Sequence, residues 1–120
     1  MSTNRWWALI AGVNGALAVA FGAFGAHGAG SAEAAQWLRT GSNYHLLHTL
    51  ALLALALADP ARSLLRAART AFLIGIIGFS GSLYALALGA PSWFGAVAPL
   101  GGTAFIIGWL LIAATALKRG

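Results

Sequence analysis

ARSLLRAARTAFLIGIIGFSGSLYALALGAP, residues 61–91, opens with Arg62, Arg66 and Arg69 and then runs from 70 to 89 with the phenol of Tyr84 as its only ionisable group. A helix of that length rises about 30 Å, the thickness of the hydrocarbon core of a bilayer. Arginines gathered at one end of such a run mark the cytoplasmic flank of a membrane span, because Lys and Arg are retained on that side during insertion. This stretch therefore reads as a transmembrane helix with a direction.

Three more apolar stretches surround it, at 6–26, 44–58 and 96–117. The second is short, roughly 22 Å as a helix, and has to borrow length from its flanks or have its ends covered by neighbours. An n-region and h-region of a signal peptide are the other reading of Arg5 and the run behind it. The run is too long for that, and no convincing small-x-small cleavage site precedes a soluble mature part, so it reads as a retained first span. The expected fold is all-α: an integral membrane four-helix bundle with short connections, residues 1–120 forming a single membrane domain.

Charge gives the orientation. Arg5, Arg62, Arg66, Arg69, Lys118 and Arg119 fall in segments that share one face of a four-span chain, and Arg39 alone falls on the other. Both termini are expected in the cytoplasm, with the connections 28–43 and 90–95 outside.

Composition agrees. Hydrophobic residues make up 60% of the chain and charged residues 8%, which leaves nothing from which to build a soluble domain. The net charge of +5 is a topology signal and an attraction to anionic headgroups, so nucleic acid is set aside as a partner. With no cysteine there is no disulfide or thiolate metal site, and metal chemistry would rest on His, Asp, Glu or backbone.

Small residues predict where helices touch. Ala8, Gly12, Ala16 and Ala20 form a four-residue line on the first span, and Gly75, Gly78, Gly81, Ala85 and Gly89 a second line on the third. In lipid, such surfaces let backbones approach and gain packing energy. Asn14, alone in the middle of an apolar run, is expected to hydrogen-bond across to another helix. Ser31 is placed to cap a short interfacial helix carrying Glu33 and anchored by Trp37, with Gly41, Ser42 and Asn43 breaking the chain before the second span. Asp59 and Pro60 read as a cap and first-turn proline. Arg62, Arg66 and Arg69 then share one helical face suited to anionic lipid. Pro91 ends the third helix, Pro99 suits the first turn of the fourth, and Gly101 with Gly102 permits close backbone contact there.

The residues with chemical range gather on the uncharged side. His27 ends the first span, and His45 and His48 begin the second from the same side at a spacing that shares a helical face. Ser80, Ser82 and Tyr84 lie in the outer half of the third span. Such a set can pack and hydrogen-bond internally, hold zinc or copper, ligate haem, or bind a quinone. No cofactor is firmly implied. No intramembrane carboxylate is present to couple proton transport, and neither a nucleophile elbow nor a His-Glu-x-x-His pattern occurs, so no enzyme is expected.

FGAFGAHG at 21–28, YHLLHTLALLALAL at 44–57, FSGSLYALALG at 79–89 and PLGGTAFIIGWLL at 99–111 together resemble the membrane family called domain of unknown function 423, whose animal relative is named transmembrane protein 256. The resemblance implies a small four-span protein of the bacterial inner membrane. Its recurring segments include His27, His48, Ser80, Ser82, Tyr84 and Pro99. The family usually has another residue at the position of His45, which favours His27 and His48 for a shared role.

Three functions are expected in turn. The first is a non-enzymatic structural or accessory component beside a membrane-protein partner or a second copy. The alternative is a binding protein for a metal, haem or other small ligand at His27, His48 and Tyr84. The third is passage of a small solute or ion past Asn14.

Overall fold

The computed structural model describes residues 2–58 and 61–118, and every element among them is helical. Helix α1 spans Thr3–His27, α2 Ala32–Ala58, α3 Ser63–Gly75, α4 Gly81–Ala87 and α5 Phe94–Thr115. A π-helical turn, Ile76–Ser80, joins α3 to α4, so 63–87 is one rod and the molecule is four rods in a bundle 51 Å long. By length and composition Thr3–His27, Ser63–Ala87 and Phe94–Thr115 are fit to cross a membrane. The caps expected at Asp59 and Pro60 lie outside the described residues, as does Arg119.

The second rod corrects the expectation of a short span preceded by a separate interfacial helix. Ser31 caps it, accepting from the Ala34 N–H at 3.0 Å, and the helix then continues without a break through Gly41, Ser42 and Asn43 to Ala58. Its 27 residues give a rod of roughly 40 Å. Gly41 is there for contact rather than for a bend, since a Cβ on it would lie 2.8 Å from the Tyr84 ring. Ser42 returns its hydroxyl proton to Arg39 O at 3.3 Å and so stays inside the helix.

Packing follows the order of the chain: α1 lies on α2, α2 on the α3–α4 rod, and that rod on α5. The α1–α2 seam uses Ala11, Gly15, Ala18, Gly22 and Gly25, where a Cβ on Gly25 would stand 2.9 Å from Leu38 and one on Gly22 would stand 3.1 Å from the Ser42 hydroxyl. The line expected from sequence is not the seam; Gly12 has nothing within 4 Å of its Cβ position, and Ala16 and Ala20 are exposed. At about 100° per residue a strict four-residue line turns some 40° with every step, whereas alternating three and four holds one face toward a neighbour crossing at a shallow angle.

The seam between the third rod and α5 interlocks large residues on small. The Phe105 ring covers Gly75, Phe72 covers Gly108, and Gly78 meets Gly101 backbone to backbone. Phe72, Ile76, Phe105, Leu52, Leu55, Ala11 and Ala68 form the apolar core. The small-residue line expected on the third span is real at Gly75 and Gly78 but stops there. Gly81 meets only the Ile76 carbonyl of its own rod, and Gly89, at φ +100°, makes the left-handed turn before Pro91. Pro99 lies inside α5, not in its first turn; it cannot donate to Gly95 O, and its own carbonyl accepts from Thr103 Oγ1 at 2.9 Å.

Candidate functional site: two histidine networks and an aromatic recess

Continuity of α2 moves His45 and His48 from the edge expected for them to the middle of a long rod, where each is buried. Three residues apart, they diverge to opposite flanks.

His45 lies between α1 and α4. Its Nδ1 is 2.8 Å from the Tyr84 hydroxyl and its Nε2 2.8 Å from Asn14 Oδ1. The amide of Asn14 is oriented by its own Nδ2, which donates to Ile10 O at 2.8 Å, so Oδ1 must accept. Nε2 of His45 therefore carries a proton, and in the neutral imidazole the lone pair on Nδ1 takes the Tyr84 proton. One directed chain runs Tyr84 to His45 to Asn14 to Ile10, linking three helices. Phe21 covers the Tyr84 ring at 3.9 Å, and beside it Ser80 donates to Gly41 O at 2.7 Å. Ser82 turns back to Gly78 O at 2.5 Å.

His48 points the other way. Its Nδ1–H donates to Tyr44 O at 2.7 Å, and its Nε2 accepts the indole N–H of Trp109 at 3.0 Å, so the opposite tautomer is fixed here. The imidazole lies flat on Phe105, centroids 3.6 Å apart and planes 11° from parallel. Sequence reasoning passed over Trp109 and Phe105; their place on the helix facing His48 was visible only in three dimensions.

The π turn serves both networks. Gly81 N–H reaches back five residues to Ile76 O, and the extra residue turns everything after it by about 100° relative to a continuous α-helix. Phe79 then faces α5 and the flank, while Ser80 and Tyr84 face α2.

Because α2 and α5 are held apart by the rod between them, the gap leaves a recess of about 430 Å³, lined among others by Tyr44, His48, Phe79, Phe105, Pro99 and Trp109. His48 and Phe105 are its buried floor, and Tyr44, Leu47, Ile106 and Trp109 its exposed rim.

The residues grouped by sequence are thus divided. His27 is exposed at the end of α1. Gly25 packs on Leu38 in the antiparallel hairpin, which sets His27 level with residue 36 or 37 and leaves His48 roughly 17 Å further along the axis. A shared metal site for the two is excluded at ligand distances of about 2 Å. Among the described residues no group of three His, Cys, Asp or Glu side chains could hold a metal ion. The polar chain stops at Ile10 O, and the interior toward the arginine end is the apolar core.

The three arginines also differ from one another. Arg62 donates to Lys118 O at 3.3 Å and Arg66 to Ala61 O, both near the surface. Arg69 is 5% exposed, its guanidinium 4.5 Å above the Trp7 ring. Arg69 therefore does not share an exposed stripe with the other two, because it is taken into a cation–π contact that joins α3 to α1.

A family model described as a protein of unknown function, DUF423, matches residues 21–102. The UPF0382 membrane protein of Haemophilus influenzae is 43% identical over 96% of this chain and 95% of its own length. The UPF0382 inner membrane protein YgdD of Escherichia coli K12 is 41% identical, covering 98% and 95%, and UPF0382 membrane protein YwdK of Bacillus subtilis is 41% identical, covering 92% and 94%. No solved structure matches the chain. Matched across more than half its length by that model and nearly end to end by these relatives, the chain belongs to the DUF423 family of membrane proteins.

Proposed function

We propose that the chain is a four-pass, non-enzymatic inner-membrane protein with both termini in the cytoplasm, acting as a rigid accessory component beside a membrane-protein partner or a second copy of itself. One observation carries the reading: both nitrogens of His45 and both of His48 are engaged by side chains or carbonyls of the bundle itself. Polar groups that a catalyst or proton carrier would keep available act here as cross-links between helices. Interhelical hydrogen bonds of this kind are worth about 0.6–2 kcal/mol each in membranes, enough in sum to hold one arrangement of four rods. Names of relatives support the inner-membrane location, and the length and antiparallel packing of α2 support its crossing.

Apolar side chains exposed on the outer faces of the rods, such as Leu9, Val13, Val19, Ile74, Ile77, Ile106 and Leu110, leave ample surface for lipid or a partner helix. Anionic headgroups at Arg62 and Arg66 complete the proposed surroundings. Passage of an ion has less support, since the apolar core closes the polar chain below Ile10. Extraction from native membranes into polymer-bounded lipid particles, without detergent, tests the proposal. A partner in fixed stoichiometry, or a discrete oligomer, is the expected result; particles holding a single chain and lipid alone would overturn it.

A further inference from the structure

We infer that two copies of the chain pair side by side through the outer face of α2, with Asn43 of each bonded to Asn43 of the other across a two-fold axis normal to the membrane. The inference deepens the accessory reading and rests on it for the second copy and for the crossing of α2.

One polar group needs a partner. Asn43 is exposed on α2, and among the described residues its amide has none. Gly22 lies beside Ser42, so Asn43 stands level with residue 20 or 21 of α1, roughly 9 Å below the end of that helix at His27. An asparagine side chain is too short to reach water from there, and an unpaired amide facing hydrocarbon carries a desolvation cost. The bundle takes up the polar residues around it, since Ser42, His45, His48 and Thr49 are all buried. α2 is also the one rod outside the three whose length and composition fit them to cross a membrane. Its outer face is where a protein neighbour is worth most.

Spacing sets the geometry. Asn43, Leu46, Leu50, Leu53 and Leu57 recur at alternating intervals of three and four and are all exposed, while Gly41, His45, His48 and Leu52 face the bundle. This is the a and d pattern of a left-handed helix pair, about 21 Å long, with a single polar residue at its first a position. Leucines facing lipid need no partner, but an asparagine in register with them does. It fixes both register and number of strands, because only a polar group at the same height satisfies it.

A second copy supplies that group. Copies inserted under one charge bias share one orientation, so a two-fold axis relating them is normal to the membrane and their α2 rods run parallel. In a parallel symmetric pair every a residue faces itself, which puts Asn43 opposite Asn43. An amide both donates and accepts, so two identical amides satisfy each other. Above Asn43 the same face carries Arg39, which turns along its own helix to donate to Gln36 Oε1 at 3.3 Å. It stands near the aqueous edge, where salt screens like charges. The contact therefore begins at Asn43 and runs toward Leu57.

The chain has no cysteine, so disulfide mapping in native membranes tests the face directly. Leu46→Cys, Leu50→Cys, Leu53→Cys and Leu57→Cys, each alone and oxidised with copper phenanthroline, are expected to give a covalent dimer, since facing positions fall within disulfide reach. Ile77→Cys and Leu110→Cys, exposed on other rods, are expected to stay monomeric. Energy transfer between labelled copies in vesicles measures the association itself. Asn43→Ala should raise the protein-to-lipid ratio at half-dimerisation about 3- to 10-fold, and Asn43→Gln should restore it. In detergent, monomeric Asn43→Ala should keep its thermal stability, because the amide bonds nothing within the chain. Equal cross-linking at all six positions, or unchanged association in Asn43→Ala, would overturn the inference. An oligomer linked through Ile77→Cys or Leu110→Cys would sink this face and leave a second copy as the partner. Single chains bound to a different protein would refute the pairing and leave the accessory role standing, whereas single chains with lipid alone would remove both.

Discussion

Neutral His45 is engaged at both ring nitrogens: the Tyr84 hydroxyl donates to Nδ1, and Asn14 Oδ1 accepts from Nε2. Removing the middle of the chain should therefore cost more than removing an end. Tyr84→Phe orphans one lone pair and should destabilise the bundle by about 1 kcal/mol, whereas His45→Phe orphans both a buried phenol and an amide oxygen and should cost about 2–4 kcal/mol. Unfolding in mixed micelles of mild detergent and dodecyl sulfate measures both; equal losses would show that the three groups do not act as a chain. What sequence revealed at this scale was need rather than pairing. Asn14 in the middle of an apolar run had to find a partner, and that much is plain from the chemistry of amides in lipid. Its partner could not be read, because His45 and His48 share a helical face by spacing, and only the positions of α1, α4 and α5 around α2 send one imidazole to each flank.

Among the elements, the contact between the third rod and α5 is the least tolerant of change. A Cβ on Gly101 would collide with the backbone of Gly78 and Phe79, and no rotamer relieves a clash with backbone. Gly101→Ala should cost about 2–3 kcal/mol, near the upper end of overpacking. Gly12→Ala is the matched control: with nothing within 4 Å it should be neutral or stabilising by up to about 1 kcal/mol through helix propensity. Thermal unfolding of the two variants in the same detergent separates close approach from glycine content; similar shifts would refute the packing account. The π turn makes a related prediction. Deleting exposed Ile77 restores an α-helical count between Gly75 and Gly81 and turns Tyr84 about 100° away from His45, so the variant should lose stability at least as large as Tyr84→Phe, in the same assay.

These elements also show where sequence patterning stops. Glycine has two meanings, chain break and close contact, and Gly41, whose sequence neighbours suggest the first, serves as the second under Tyr84. The identity of the neighbour decides between them. Likewise a line of small residues predicts that a helix is packed, but the face is set by the crossing angle, which separates Ala8, Gly12, Ala16 and Ala20 from the real seam at Ala11, Gly15, Ala18 and Gly22. The π turn has no signature in residues 76–80 that would have announced it.

At the scale of the whole molecule, charge and shape make one joint prediction about how the four rods sit in the membrane. Arg5, Arg62, Arg66, Lys118 and Arg119 lie at the two chain ends, in the α2–α3 connection and in the first turn of α3, whereas the opposite connections at 28–31 and 88–93 contain no charge and Arg39 alone lies toward that side, within α2. Positive residues in short loops resist translocation, so the charged end should be cytoplasmic. The chain has no cysteine, which makes single-cysteine labelling clean. Gly30→Cys and Ser92→Cys lie at one end of the bundle, Ser63→Cys and Ala116→Cys at the other, and all four positions are exposed. In intact cells a membrane-impermeant maleimide should modify the first pair and reach the second only after permeabilisation. The pairs bear on separate claims. Reversal of both pairs would overturn the orientation and leave four crossings intact. Labelling of Gly30→Cys together with Ser63→Cys, on one side, would mean that α2 does not cross. That second outcome would also move the His45 chain out of the bilayer interior to a place where water competes for its hydrogen bonds, and would lower the cost expected for His45→Phe.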